Sequence, residues 1–194
     1  MATVSAREKV IQASIELMTG RGFTATTVDE IVNQAGVAKG SVYHAFKSKE
    51  ELAIAALEHY LQRGLGIVMA GDFQDTKDPV EKALDFLDYL EERSTELWSH
   101  GCLLGTLAIE VADNYPALLK EIDTLFKRFE LGLESVFEPA LKARKIKDVT
   151  ASDLSLHLLA VVEGSIITAR SHTRPELLKE GISHFRHYLT LILA

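Results

Sequence analysis

A chain of 194 residues, 47 % apolar and 25 % charged, is long enough to bury one large domain or a small one attached to a larger one, and its composition excludes a disordered chain. Its net charge of -7 is unevenly placed: residues 1–50 hold six Lys/Arg against five Asp/Glu, residues 51–194 fifteen against twenty-three, so any nucleic acid would meet only the first quarter of the chain. The single cysteine, Cys102, excludes an internal disulfide framework; no contiguous apolar run approaches the roughly 18 residues of a membrane span, and Arg7, Glu8 and Lys9 interrupt any signal peptide, so the expectation is a soluble cytoplasmic protein with no membrane partner.

The pattern is helical almost throughout, with no alternating strand run bounded by hairpin turns. Ser5 with Glu8 makes a capping box, in which hydroxyl and carboxylate satisfy the free N–H groups of a helix start. Val10, Ala13 and Leu17 follow at helical spacing, Ile11, Ile15 and Met18 widen the apolar face, and Gly20 and Gly22 are predicted to end the helix, with Phe23 returning to the core. Thr27 with Glu30 caps a short second helix that Gly36 terminates, and a third is predicted from about Ala38 to Phe46. Ser48 with Glu51 opens a long helix to about Met69, and the polar stretch from Asp72 to Asp78 reads as a loop. Asp78-Pro79 starts a fifth helix, with proline where its missing N–H costs nothing. His100-Gly101 breaks the chain before a short helix over Cys102 to Ala112. Asn114 is expected to cap a helix to about Arg144 that carries Pro139, Thr150 with Asp153 caps another to about Ser171, and Pro175 opens the last. The expected fold is all-α, about nine helices in total, with no internal repeat.

The stretch Val37 to Lys49 differs from the rest of this acidic chain. From Ile31 through Lys49 there is no Asp or Glu, the longest such run, while Lys39, His44, Lys47 and Lys49 fall inside it with Tyr43 and Phe46 between them. A short helix, a glycine turn and a second short helix is the spacing of a helix-turn-helix, whose second helix enters the DNA major groove. A carboxylate there would face phosphates, which explains the missing acids. A solvated surface helix would also account for the charge alone. The ordered pattern Ile31-x3-Ala35-Gly36-Val37-x2-Gly40-x2-Tyr43-x2-Phe46-x2-Lys49-x2-Leu52 closely resembles the signature of TetR-family transcriptional regulators, and the resemblance covers residues 5–52. Val32 stands where a small alanine is frequent, and Ala38 where a serine usually opens the recognition helix, which removes a side-chain cap.

Residues 1–50 are therefore expected to form a three-helix DNA-binding domain and residues 51–194 a helical effector-binding and dimerisation domain. Candidate DNA contacts are Thr27, Lys39, Gly40, Ser41, Tyr43, His44 and Lys49, with Gly40 allowing close backbone approach and Lys49 aimed at phosphate. The resemblance implies a homodimeric repressor that releases a palindromic operator on double-stranded DNA when an apolar or electrophilic small molecule binds, with no cofactor. It also implies that the last two helices, about 150–171 and 175–192, build an intermolecular four-helix bundle. Leu178, Ile182, Phe185, Leu189 and Ile192 form a stripe that would serve such a bundle or pack on the same subunit.

Gly101 to Asp113, GCLLGTLAIEVAD, resembles a segment of a TetR subgroup that includes sensors of electrophiles and oxidants. Cys102 near a helix start would favour a thiolate, giving a redox or electrophile switch as the alternative; a buried inert thiol is the competing reading. Glu110 and Glu163 are candidate polar groups of an effector pocket, or partners of Arg170 or Arg128. His184 and His187 lie i, i+3, but no further ligand stands beside them, so no metal is expected. The chain carries no G-x-S-x-G, P-loop, H-E-x-x-H or G-x-G-x-x-G motif, so an enzyme is not expected. A helical protein-binding adaptor without DNA binding is the remaining alternative.

Overall fold

The computed structural model describes residues 5–98 and 100–194. Among them are nine α-helices: α1 (Ala6–Arg21), α2 (Val28–Ala35), α3 (Lys39–Ala45), α4 (Lys49–Met69), α5 (Pro79–Trp98), α6 (Leu103–Val111), α7 (Pro116–Arg144), α8 (Ala151–His172) and α9 (Glu176–Ile192). The described residues contain no strand. By contacts the chain divides into Met1–Arg63 with His100–Phe126, and Gly64–Ser99 with Lys127–Ala194.

In the first unit α1 packs against α2, α3 and α6. Its core holds Ile11, Met18, Phe23, Ile31, Val42, Phe46, Leu52 and Leu57, joined by Leu103 and Leu107 of α6. Phe23 and Ile31 are fully buried, and each such side chain contributes about 1.5–3 kcal/mol. Capping decides where the helices start. Ser5 and Thr27 both form reciprocal boxes with Glu8 and Glu30. At α4 the Ser48 hydroxyl accepts from the Glu51 N–H at 3.1 Å, but the Glu51 carboxylate accepts from Lys47 N rather than from Ser48. Gly20 lies inside α1, not beyond it; the helix runs to Arg21 and Gly22, at φ 84°, ends it.

In the second unit α9 packs on α5 and α8. Phe73, Phe86, Phe137 and Phe185 make a run of ring contacts through this core, with centroids 5.2 Å, 6.2 Å and 6.0 Å apart in that order. The stretch expected as a polar loop contains a 3-10 turn, Asp72–Asp75, because Phe73 is buried against Phe86 and Tyr89. The Asp78 carboxylate accepts from Val80 and Glu81 N–H groups at 2.9 Å, capping α5 behind Pro79. Pro139 lies within α7, which continues through it. That helix starts at Pro116, so Tyr115, not Asn114, occupies the position before it.

The α9 stripe packs on its own subunit: Leu178, Ile182, Phe185 and Leu189 are all buried within this chain. Ser165 lies against Gly181, and His157 against Phe185 and Tyr188, so α8 and α9 run antiparallel. What stays outside is a different apolar set, Leu156 and Ile167 on α8 with Tyr188 and Leu191 on α9. Among the described residues, α8 alone has the length and composition of a membrane span, at a mean hydropathy of 1.2, with 28 % of that window buried. A search for contiguous apolar runs misses it because Asp153 and Glu163 interrupt the helix.

Candidate nucleic-acid interface

The turn between α2 and α3 is made by Gly36 in the left-handed conformation, φ 62° and ψ 38°, where its N–H reaches back to the carbonyls of Val32 and Asn33. A side chain there would meet open space but a strained backbone. The third helix then starts at Lys39 behind Ala38, which makes no side-chain cap bond, as the missing serine hydroxyl implied. Val42 and Phe46 anchor this helix in the core, and Lys39, Gly40, Ser41, Tyr43 and His44 all stay exposed. Tyr43 is 56 % exposed, with the Lys39 ammonium 5.9 Å from its ring centre.

Charge on this surface is only loosely held. The Lys39 ammonium lies 2.5 Å from Asp29, with both side chains more than half exposed. A surface pair of this kind contributes little to stability, so Lys39 can exchange Asp29 for another anion. The hydroxyl of Thr27 is occupied in its capping box, and Glu30 is held down to about 2 by hydrogen bonds from the Thr27 backbone and side chain and from Arg21.

Lys49 sits differently from its sequence expectation. Its ammonium donates to the carbonyls of Phe23 and Thr26 at 2.9 and 3.1 Å and lies 4.2 Å from the centre of the Phe23 ring. A phosphate contact would compete with both bonds.

The remaining candidates do not converge on one another. Glu110 of α6 accepts from the backbone N–H groups of Phe23 and Thr24, not from Arg170 or Arg128. Burial raises its pKa and is the largest single influence. The bonds from Thr24 and Phe23 and the Lys49 charge together outweigh it, and the net shift is downward. Cys102 occupies the position before α6, 6 % exposed and without a side-chain cap bond. Glu163 is half-buried midway along α8. His184 and His187 are exposed, and among the described residues no three His, Cys, Asp or Glu side chains are placed to hold a metal ion together. A cleft of about 270 Å³ lies between the 3-10 turn and α5, lined by Asp72, Phe73, Thr76, Asp85, Asp88, Tyr89 and Glu92. Two of its carboxylates are engaged, Asp85 by the Thr76 hydroxyl and Asp88 by the Arg186 guanidinium. The sequence pointed to neither the cleft, which depends on the 3-10 turn at Asp72–Asp75, nor the Glu110 bonds, which join segments 86 and 87 residues apart.

A three-helix head that presents a short, acid-free helix behind a glycine turn, followed by a larger all-helical part, defines a helix-turn-helix regulator of transcription. Residues 10–56 match the family of bacterial regulatory proteins, tetR family, and residues 79–183 match the transcriptional regulator LmrA/YxaF-like C-terminal domain. The chain belongs to the TetR family. The transcriptional regulator AcuR of Cereibacter sphaeroides is 28 % identical over 192 residues, covering 95 % of this chain and 86 % of that one. The HTH-type transcriptional regulator LmrA of Bacillus subtilis is 28 % identical over 181 residues, 89 % of this chain and 92 % of its own. The solved regulatory protein TetR from Rhodobacter sphaeroides superposes with a TM-score of 0.81 at 24 % identity, over 94 % of this chain and 97 % of that one, and shows the shared fold.

Proposed function

We propose that this chain is a ligand-responsive repressor that binds a palindromic operator as a homodimer and releases it when a small molecule occupies the C-terminal part. Residues 1–50 form the DNA-binding head and residues 51–194 the effector and dimerisation domain, with α6 packed on the head. The observation that carries the reading is the exposed face of α3, where Lys39, Gly40, Ser41, Tyr43 and His44 stand clear of the core in the longest acid-free run of the chain. Lys39 exchanges its exposed Asp29 partner for phosphate, and Tyr43 and His44 reach base edges or phosphate. The effector is apolar: in residues 51–194 the only buried polar side chains among those described are Ser94 and Ser155, so a pocket opened there meets apolar walls. The protein works without a cofactor and in the cytoplasm.

Symmetry requires a self-complementary patch, and Leu156, Ile167, Tyr188 and Leu191 supply one on α8 and α9. Their use between subunits accounts for an apolar α8 so little covered within the chain. A Cys102 switch is not carried into this reading, because the thiol is buried and the chain has no second cysteine.

The test is selection of duplexes from a random pool by the purified protein, followed by titration of the enriched sequence at several salt concentrations. Enrichment of an inverted repeat with half-sites about 34–36 Å apart is the expected result. No retained duplex at about 50 mM salt, where phosphate contacts are strongest, would overturn the proposal.

A further inference from the structure

We propose that Glu110 couples α6 to the DNA-binding head by latching the turn between α1 and α2. The inference rests on the DNA-binding reading above and adds to it a residue and a route.

That turn is held from two sides by opposite charges. Beyond α1 the N–H groups of Phe23 and Thr24 have left the helix and need acceptors. The Glu110 carboxylate supplies one oxygen to each, Oε2 to Phe23 at 2.5 Å and Oε1 to Thr24 at 2.7 Å. The carbonyls of Phe23 and Thr26 face Lys49, which donates to both. The Phe23 ring is held between the Lys49 ammonium and the edge of Tyr115, 4.9 Å away between centroids. Gly22 makes the approach possible, since a Cβ built there would overlap the Glu110 carboxylate.

Phe23 is buried and needs an acceptor from the protein, but the Thr24 side of the turn does not. Thr24 is exposed, and water would satisfy its N–H at little cost. Bringing a carboxylate from 86 residues away fixes the turn to α6 instead. Hydrogen bonds of this length are lost by a displacement of about 1 Å, so the turn responds to small movements of α6. The response continues into the head because the Thr26 hydroxyl donates to the Gly22 carbonyl at 2.7 Å and Thr27 caps α2 immediately afterwards. Movement of α6 is thereby converted into order or disorder at the start of the helix-turn-helix, and by linkage DNA binding must act back on α6.

The experiment is hydrogen exchange on the full-length protein, free and with the duplex enriched by the wild type, for wild type, Glu110→Gln and Glu110→Ala. In the wild type, DNA should slow exchange in α3, at Phe23 and Thr24, and in α6. Glu110→Ala should bind the duplex about tenfold more weakly, within the range usual for coupled sites. Its α3 should still respond to DNA while its α6 no longer does. Glu110→Gln keeps one acceptor and the bulk, and should fall between the two. Gly22→Ala both displaces the carboxylate and strains a backbone at φ 84°, so only the part of its effect that depends on Glu110 reports on the latch. Its effect should shrink in the Gly22→Ala/Glu110→Ala double variant. An undiminished α6 response in Glu110→Ala, even with a lower melting temperature, would reduce Glu110 to a structural brace and overturn the proposal. Failure of the wild type to retain any duplex would overturn the DNA-binding reading itself, which is a separate result.

Discussion

Tyr43 on α3 and Lys49 at the start of α4 belong to the same basic segment, yet the structure gives them opposite circumstances. Tyr43 is more than half exposed and anchored to nothing in the core, so Tyr43→Ala should leave stability within about 0.5 kcal/mol of wild type. The same change should weaken duplex binding roughly tenfold, the loss of one good base or phosphate contact. Urea melts and fluorescence anisotropy, run on one preparation, check both halves. Lys49→Ala should do the reverse. It removes two charge-assisted bonds to the carbonyls of Phe23 and Thr26, a loss of about 1.5–3 kcal/mol in a urea melt. The slope of log K against log salt should stay close to wild type; a fall of about one unit would show that Lys49 neutralises a phosphate after all. The sequence placed both residues in the right segment because acid depletion and spacing are local properties. It could not separate them, because the carbonyls that hold Lys49 belong to a turn more than twenty residues upstream.

At the scale of elements, three capping boxes set the starts of α1, α2 and α8, and their carboxylates, Glu8, Glu30 and Asp153, all titrate below their ordinary values. For Glu8 and Glu30 the backbone N–H of the cap residue is the largest cause, and for Asp153 it is the Thr150 hydroxyl. A carboxylate whose folded pKa is depressed contributes stability that is fully present above its unfolded pKa and is lost as pH falls through the folded value. For Glu30 that window runs from its ordinary 4.5 down to about 2. Melting temperature should therefore drop steadily over this range, and Glu30→Gln should flatten part of the drop while lowering the plateau above pH 5. A variant curve parallel to wild type would show that the cap does not titrate with folding. These caps were legible in the sequence because both partners lie three residues apart. The α9 stripe was legible as a stripe, but periodicity gives a face and not the identity of what covers it, so it could not distinguish α5 and α8 of the same chain from a second subunit. The 3-10 turn was hidden for a related reason: one buried phenylalanine, Phe73, outweighs the three acidic or polar residues beside it in the turn once a ring cluster is available to receive it.

For the whole molecule, the decisive quantity is the association state. Leu156 and Leu191 are 49 % and 64 % exposed in the single chain, on helices whose other faces are filled by their own core. In a symmetric dimer each substitution acts twice, so replacing one buried leucine by a charged residue removes on the order of 3–6 kcal/mol of association energy, more than a hundredfold in dimer affinity. Leu156→Glu/Leu191→Glu should therefore sediment as a monomer at micromolar concentration where the wild type sediments as a dimer. Because neither side chain is part of the core, the far-UV circular dichroism of the variant should match wild type. The monomer should also lose most of its operator affinity, since one head reaches only one half-site, and its binding curve should become insensitive to half-site spacing. Retention of the dimer by the double variant would place the interface on another surface. Loss of the dimer together with loss of helical signal would instead mean that these leucines support the fold of α8 and α9 themselves, and the single substitution Ile167→Glu, one end of the helix pair away, would then decide between the two.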